Sequence, residues 1–237
     1  MPTQQSLNRY YLGYHDFNRE ADENLAKKRD TQYDIDYNYI QEYVGKCSNV
    51  LDIGCSSGKF LNYFHGSNLY GLEPDAVSRA KIIETNPNIF AMDSINTLKE
   101  DKYFNKFDLV IMRGVIEHFE DPKYVFDVVE KILARNGKIV LLMTPYSEAP
   151  SLEIFGEKWA MFNPVEHLWF FNEKSLNLLN SNLKVRRIDF PYRGTPYENL
   201  RTDILRFADK IRDSEEHSQW SPAFFENVFN CVIDVVR

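Results

Sequence analysis

The stretch Asn49-Val50-Leu51-Asp52-Ile53-Gly54-Cys55-Ser56-Ser57-Gly58-Lys59-Phe60 decides the fold of this 237-residue chain. An apolar run ends in a carboxylate, and small residues then turn the backbone sharply toward a helix. A turn of this kind brings main-chain N–H groups and an acid against a polar, nucleoside-type ligand. The stretch therefore predicts a strand, a ligand-binding turn and a helix, in that order.

A second carboxylate follows at a matching position. Nineteen residues after Gly54, the apolar run at 69–72 ends in Glu73. An acid at the tip of the neighbouring strand can accept hydrogen bonds from both hydroxyls of a ribose. Asp52 and Glu73 together predict a nucleoside site at one edge of a sheet.

The glycine spacing argues against two common kinds of nucleotide site. A dinucleotide fingerprint needs glycines at positions that hold Ser56 and Lys59 here, so it fits badly. A Walker phosphate loop needs Ser or Thr after Gly-Lys, and Phe60 follows Lys59 instead. What remains is acid-x-Gly-x-small-x-Gly, which suits a ligand with an adenosine and an amino-acid tail but no phosphates.

Three segments of the chain, at 50–60, 70–75 and 107–145, resemble the class I S-adenosylmethionine-dependent methyltransferases. They occur in the family's order and at its spacing, and the similarity covers roughly residues 45 to 190. The branch that it most resembles holds ubiquinone-type O-methyltransferases and methyltransferases of sugar and polysaccharide pathways. The resemblance and the alternating strand and helix patterns predict an α/β fold: a doubly wound, Rossmann-like sheet of seven mainly parallel strands with helices on both faces.

The resemblance also implies a site for S-adenosylmethionine. The glycine-rich turn would surround the methionine end, the acid after the second strand would hold the ribose, and the acid after the third strand would lie at the adenine. The residues carried over are Asp52, Gly54, Cys55, Ser56 and Gly58 in the turn, Glu73 and Pro74, Asp93 and Ser94, and Arg113, Gly114 and Val115 after the fourth strand. Ser56 replaces the usual middle glycine, and Cys55 is interpreted as a small turn residue rather than a catalytic thiol.

Two histidines are the candidate catalytic bases. His118 belongs to a Glu-His pair that resembles the family's pair after the fourth strand, and His167 opens a segment that resembles the branch's H-x-x-F-F element. Histidine titrates near neutral pH, so it can take a proton from a substrate hydroxyl. The alternative for both is a packing role or a bond to the backbone. Some members of the branch hold a divalent metal at the Glu-His pair; we do not favour this, and no metal ligand is assigned.

The pattern along the chain predicts one methyltransferase domain over 1–237. It would carry an N-terminal helical arm at 1–45 and substrate-side insertions at about 146–171 and 192–222. Tyr14 and His15 in the arm would close over the cofactor as a lid, or the arm would pack elsewhere or at a dimer contact. Strands are predicted at 49–53, 68–72, 88–91, 107–112, 138–143 and 183–190, and helices at 32–44, 57–64, 74–85, 121–135 and 197–211. A seventh, antiparallel strand is predicted at 227–236, with a helix from Ser221 as the alternative.

Composition restricts the partners. The net charge of −7 and the pI near 5.3 disfavour a nucleic-acid substrate, which usually requires a basic face. No run approaches the roughly 18 apolar residues of a membrane span, and no secretion signal is visible at the N-terminus. Three scattered cysteines indicate reduced thiols and a cytoplasmic location.

These features predict an S-adenosylmethionine-dependent methyltransferase that releases S-adenosylhomocysteine. The acceptor would be a small molecule or a sugar or polysaccharide precursor, methylated on oxygen. Aromatic residues after the fifth strand would form the walls of the acceptor pocket, and the protein would be a monomer or a homodimer. The alternatives are an N- or C-methyltransferase and a nucleoside-binding protein without catalysis.

Overall fold

A computed structural model describes residues 23–212, 221–222 and 225–236. Within these ranges the strands are β1 Asn49–Ile53, β2 Asn68–Leu72, β3 Ile89–Met92, β4 Phe107–Arg113, β5 Leu133–Pro145, β6 Leu183–Asp189 and β7 Val228–Val235. The α-helices are α1 Glu23–Tyr43, α2 Ala76–Thr85, α3 Pro122–Ile132, α4 Pro150–Phe155, α5 Glu173–Leu179 and α6 Leu200–Ile211. Tyr14 and His15 lie outside the described residues.

The strands form one seven-stranded sheet in the order β3-β2-β1-β4-β5-β7-β6. The first five strands pair in parallel, while β7 runs antiparallel to both β5 and β6. The predicted sheet is therefore confirmed. Of the two predictions for the C-terminal segment, the strand is correct and the helix is wrong.

Helices cover both faces of the sheet. On one face, α3 and α5 pack on alternate residues of the central strands, such as Leu51 and Val110. On the other face, α1 and α2 pack on the residues between them, such as Val50 and Leu109. The central strands are apolar on both faces because both faces are buried, as expected of a parallel sheet.

The parallel strands β1, β2, β3 and β4 end at the same edge. Their final residues are followed in turn by the glycine-rich turn, by Glu73, by Asp93 and by Gly114. In open α/β sheets, ligands bind outside the carboxyl ends of the strands, where the strand order reverses. In this sheet the reversal lies between β1 and β4.

Several predicted element bounds are wrong. The helix expected at 57–64 is only a 3₁₀ turn, Phe60–Tyr63, because Gly58 has a φ of +75° and cannot belong to a regular helix. Pro74 precedes the helix that it was expected to open: α2 begins at Ala76, and Asp75 caps it by accepting a hydrogen bond from the backbone of Ser78. α3 ends at Ile132, before the predicted Asn-Gly stop, and β5 begins directly afterwards.

Candidate active site

The turn after β1 is held by backbone bonds to β2. The N–H of Gly54 donates to the carbonyl of Leu72 at 2.7 Å, and Gly54 has a φ of +77°. A Cβ atom at Gly54 would lie 2.5 Å from Cγ2 of Val115, on the loop after β4. Glycine is therefore required here both by its backbone conformation and by the approach of that loop.

Ser56 and Cys55 complete the turn. Ser56 adopts a φ of +51°, so this serine takes the left-handed conformation usual for the glycine that it replaces. Cys55 is buried, and its Sγ would be 2.6 Å from a Cβ at Gly71 of β2. Burial raises the pKa of the Cys55 thiol well above its ordinary value, which agrees with a packing role and not with a nucleophile.

Glu73 is oriented by two backbone donors. Its Oε2 accepts a hydrogen bond from the N–H of Ser56 and its Oε1 accepts one from the N–H of Asp75, both at 2.9 Å. The side chain is 4% exposed, and burial raises the pKa of its carboxyl although the two N–H groups oppose that shift. Each oxygen keeps a lone pair for a further donor, such as a ribose hydroxyl.

Asp52 is buried without a full set of partners. Its Oδ1 has no hydrogen-bond partner among the described residues, and the residue is 3% exposed. Burial raises the pKa of its carboxyl to about 8, while the positive charge of Arg113 acts in the opposite direction and Glu73 adds to the rise. A buried polar atom without a partner is costly, so this oxygen suits a ligand donor.

Polar and aromatic residues of α1 contact Arg113, which ends β4 at this site. The Nε of Arg113 donates to Oδ2 of Asp36 at 2.7 Å, and the guanidinium lies 4.8 Å from the ring centre of Tyr33. Asp36 and Gln32 are completely buried. Sequence reasoning missed these α1 residues, although polar residues at 32 and 36 share one helical stripe with the buried Ile40 and could have signalled a buried polar contact.

A cavity of about 30 Å³ lies between α1 and the turn. It is lined by Arg29, Tyr33, Asp52, Gly54, Cys55, Ser56, Phe60 and Arg113. Eight residues from three parts of the chain thus meet where the sequence predicts the methionine end of a cofactor. A larger open recess of about 540 Å³, at the start of α1, is lined by none of the predicted site residues.

The remaining predicted cofactor residues lie along the same edge. Asp93 is exposed after β3, and its carboxylate accepts a hydrogen bond from the hydroxyl of Thr97. Ser94 caps the 3₁₀ turn that follows. Gly114 turns the chain away from β4 with a φ of +59°, and its N–H donates to Leu142 of β5. Pro74 follows Glu73 directly, and the carbonyl of Pro74 accepts a hydrogen bond from Nη1 of Arg79 at 3.0 Å.

The two histidines lie side by side beyond β4. Their ring centres are 5.1 Å apart. Nδ1 of His118 lies 2.7 Å from the carbonyl oxygen of Glu166, and Nδ1 of His167 lies 2.7 Å from the carbonyl oxygen of Met161. A carbonyl only accepts, so a neutral ring in this position carries its proton on Nδ1 and leaves a lone pair on Nε2.

The same histidines could bind a cation. Ligand atoms of Glu117, His118 and His167 all lie within 4.8 Å of one another. Nitrogen and carboxylate ligands with Nδ1 fixed by a backbone carbonyl resemble the outer contacts of protein metal sites. The geometry thus permits both a base and a metal ligand at this position.

The aromatic segment after β5 is partly core and partly surface. Phe155, Trp159 and Phe171 are buried, and Nε1 of Trp159 donates to Asn227. Phe162 and Trp169 are more than a third exposed. The ring centres of Phe170 and His167 lie 6.4 Å apart, so an aromatic wall extends to the histidine pair.

A known family matches most of the chain. The sequence profile described as "Methyltransferase domain" matches residues 15–183, which is more than half of the chain. This chain belongs to that methyltransferase family. The resemblance inferred from the sequence is therefore confirmed, and so are the fold and the class of reaction: it is an S-adenosylmethionine-dependent methyltransferase domain.

Two curated methyltransferases are similar over shorter stretches. A ubiquinone biosynthesis O-methyltransferase of Erwinia tasmaniensis is 28% identical over 96 residues, covering 38% of this chain and 40% of the relative. A tRNA U34 carboxymethyltransferase of Campylobacter jejuni subsp. doylei is 28% identical over 124 residues, covering 48% of this chain and 42% of the relative. The chain thus matches less than half the length of each.

A solved structure extends the likeness to the whole fold. The N-methyltransferase NodS of Bradyrhizobium japonicum, in complex with S-adenosylhomocysteine, has a TM-score of 0.57 and 16% identity. The likeness covers 98% of both chains. The cofactor predicted from the sequence fits this methyltransferase fold.

No helix within the described ranges is long and apolar enough to cross a membrane.

Proposed function

We propose that this methyltransferase transfers a methyl group from S-adenosylmethionine to a hydroxyl of a small organic molecule or a sugar or polysaccharide precursor. The observation that carries the proposal is the pair His118 and His167 beyond the end of β4, each with Nδ1 against a backbone carbonyl. In this tautomer each Nε2 can accept a proton. A hydroxyl needs that help, because its proton must leave as the bond to the methyl carbon forms.

The proposed cofactor site uses the strand tips. Glu73 would accept both ribose hydroxyls, Asp93 would lie at the adenine, and the turn with Asp52 would surround the methionine end. Support comes from the two backbone donors that orient Glu73 and from the unpartnered oxygen of Asp52. The sulfonium of the cofactor supplies an already activated methyl group, so the remaining task of the chain is to align the acceptor.

The aromatic rings beside the histidine pair favour a small organic or carbohydrate acceptor. Phe162 and Phe170 stack with ring centres 6.5 Å apart, next to the histidine pair. Flat apolar walls beside a few polar groups are typical of pockets for small ligands and sugars. The net charge of −7 makes a nucleic-acid acceptor a weaker proposal.

A panel of acceptors tests the proposal. Release of S-adenosylhomocysteine is measured with phenolic, sugar and amine acceptors for the wild type, His118→Asn and His167→Asn. We expect one histidine variant to lower turnover of a hydroxyl acceptor by about 100-fold, the usual size of a general-base contribution. Affinity for S-adenosylhomocysteine should stay within twofold. His65→Asn, at an exposed histidine in the turn before β2, is the matched control.

Other outcomes point to other reactions. Full activity of both histidine variants toward an amine would favour N-methylation, because a neutral amine attacks without losing a proton first. Loss of wild-type turnover on adding a chelator, with recovery on adding Mg²⁺, would assign Glu117 and the histidines to a metal instead. Either result would replace general-base O-methylation.

The cellular setting is proposed on separate grounds. Cys47, Cys55 and Cys231 are all free thiols, which favours a reducing, cytoplasmic compartment. We propose a monomer or a homodimer, which the elution volume in size-exclusion chromatography with light scattering would decide.

A further inference from the structure

Asp36 is a carboxylate buried completely within α1, far in sequence from the glycine-rich turn. Both of its oxygens are engaged. Oδ2 accepts a hydrogen bond from Nε of Arg113 at 2.7 Å, and Oδ1 accepts one from Nε2 of Gln32 at 2.8 Å. Burying an ion pair costs so much desolvation that it seldom adds to stability, and apolar residues of similar size would serve a purely structural contact as well.

The partner of Asp36 lies beside the proposed methionine end of the cofactor. Asp52 of β1 pairs with Ile111 of β4, and Arg113 lies two residues further along β4. Side chains alternate along a strand, so Asp52 and Arg113 leave the sheet on the same side. Both line the small cavity, where a carboxyl and a guanidinium group lie together.

This pair of groups matches the amino-acid end of the cofactor, because a bound ammonium group favours the charged form of Asp52. The methionine moiety of S-adenosylmethionine carries an ammonium group and a carboxylate on one carbon. We propose that Asp36 is a positioning residue that holds the guanidinium of Arg113 at the cavity, where Arg113 binds the cofactor's carboxylate while Asp52 binds its ammonium group. The inference rests on the cofactor placement proposed above.

The contacts of Arg113 leave donors for this role. The bond to Asp36 uses Nε, and a guanidinium has five N–H donors in a fixed plane. Tyr33 stacks against the group at 4.8 Å and restricts its orientation. A carboxylate bound by an oriented guanidinium is among the stronger hydrogen-bonded pairs in proteins. Helix α1 is thereby coupled to cofactor recognition.

Two ligands distinguish a positioning role of Asp36 from a purely structural role. S-adenosylhomocysteine has the amino-acid end, whereas 5′-methylthioadenosine has the same nucleoside and sulfur without it. Calorimetry gives the affinity of the wild type, Asp36→Asn and Arg113→Lys for each ligand. Glu73→Gln tests the ribose contact, and Glu23→Gln replaces an exposed acid on α1 as the control.

We expect Asp36→Asn and Arg113→Lys to weaken S-adenosylhomocysteine about tenfold or more, the size of a lost hydrogen bond to a charged group. Affinity for 5′-methylthioadenosine should stay within twofold, whereas Glu73→Gln should weaken both ligands. Equal losses for both ligands in Asp36→Asn and Arg113→Lys, or no loss for either, would overturn the inference. So would a wild type that does not prefer the ligand with the amino-acid end.

Loss of binding in the wild type and misfolding of Asp36→Asn would each be interpreted separately. A wild type that binds neither ligand refutes the cofactor placement itself, before any role of Asp36 is tested. If Asp36→Asn fails to fold, Arg113→Lys decides the matter, because it keeps the positive charge and removes the planar guanidinium that Asp36 orients through Nε. An unchanged ratio of the two affinities in that variant would then rule out positioning.

Discussion

Asp52 shows how a single carboxylate can link cofactor binding to pH. Burial raises the pKa of its carboxyl to about 8 in the unliganded protein, with Arg113 lowering that pKa and Glu73 raising it. The thiol of Cys55 also faces this group, and its own pKa is raised well above the ordinary value. At pH 7 the Asp52 carboxyl is therefore mostly protonated until a cationic ligand favours its charged form.

We expect the affinity for S-adenosylhomocysteine to rise with pH up to about 8, because binding the ammonium group there requires loss of the Asp52 proton. Calorimetry between pH 6 and pH 8, in two buffers of different ionisation enthalpy, measures both the affinity and the protons released. Asp52→Asn should bind more weakly and release none. A pH-independent affinity in the wild type would contradict this assignment.

The same pKa shift contributes to the pH dependence of stability. The folded-state pKa lies above the usual 3.8, so between these values the unfolded chain loses the Asp52 proton while the folded chain keeps it. The stability that this group contributes is complete below about pH 4 and falls as pH rises toward 8. In urea unfolding, the free energy of the wild type should therefore decline more steeply over this range than that of Asp52→Asn.

Local pattern predicted which strand ends meet at one edge of the sheet, but not which residues of α1 face that edge. Asp52, Gly54 and Glu73 were predicted correctly as neighbours because the ends of adjacent parallel strands must meet at one edge. Asp36 was missed because its partner, Arg113, lies 77 residues away in the chain. No local spacing records which buried polar residue of a helix will face which strand.

At the scale of elements, the turn after β1 depends on a contact with the loop after β4. Gly54→Ala would place a Cβ 2.5 Å from Val115, in addition to the strain of a φ of +77°. Gly66 is the matched control, since its φ is +83° and nothing lies within 4 Å of its Cβ position. The two substitutions share the backbone strain and differ in the clash.

We expect Gly66→Ala to lower the free energy of unfolding by about 1 kcal/mol, from backbone strain alone. Gly54→Ala should cost roughly 1–3 kcal/mol more, the usual cost of overpacking, and should weaken cofactor binding. Urea unfolding of Gly54→Ala with and without Val115→Ala measures the coupling, and the second change should recover part of the loss. Equal losses in the free energy of unfolding at both glycines would show that the loop after β4 moves aside without an energetic penalty.

Strands were easier to predict than helices in this chain. Buried parallel strands are marked by continuous apolar runs, and β1 and β2 have their predicted bounds. The turn at Phe60–Tyr63 was wrongly predicted as a helix because apolar spacing cannot reveal the φ of Gly58. For β7, the Ser-Pro pair at 221–222 suggested a helix as well as a strand. The strand forms because its neighbours β5 and β6 satisfy its backbone on both sides.

At the scale of the whole molecule, the insertions are tied to the sheet. Nε1 of Trp159 donates to Asn227, next to β7, at 2.9 Å, and the N–H of Leu168 donates to the carbonyl of Glu117 after β4 at 2.8 Å. These bonds connect the aromatic segment to the start of β7 and to the loop after β4. A chain connected in this way should unfold as one unit. That behaviour is what the predicted single domain over 1–237 requires.

Calorimetric melting tests that prediction together with the cofactor site. We expect one transition, and S-adenosylhomocysteine at 100 times its Kd should stabilise the folded state by about 2.7 kcal/mol. For a chain of this length that corresponds to a rise in Tm of roughly 5 to 11 °C. Adenine at the same concentration lacks the ribose and amino-acid contacts and should shift Tm far less. Two transitions, of which only one moves with the ligand, would instead divide the chain into a cofactor domain and a second unit that folds independently.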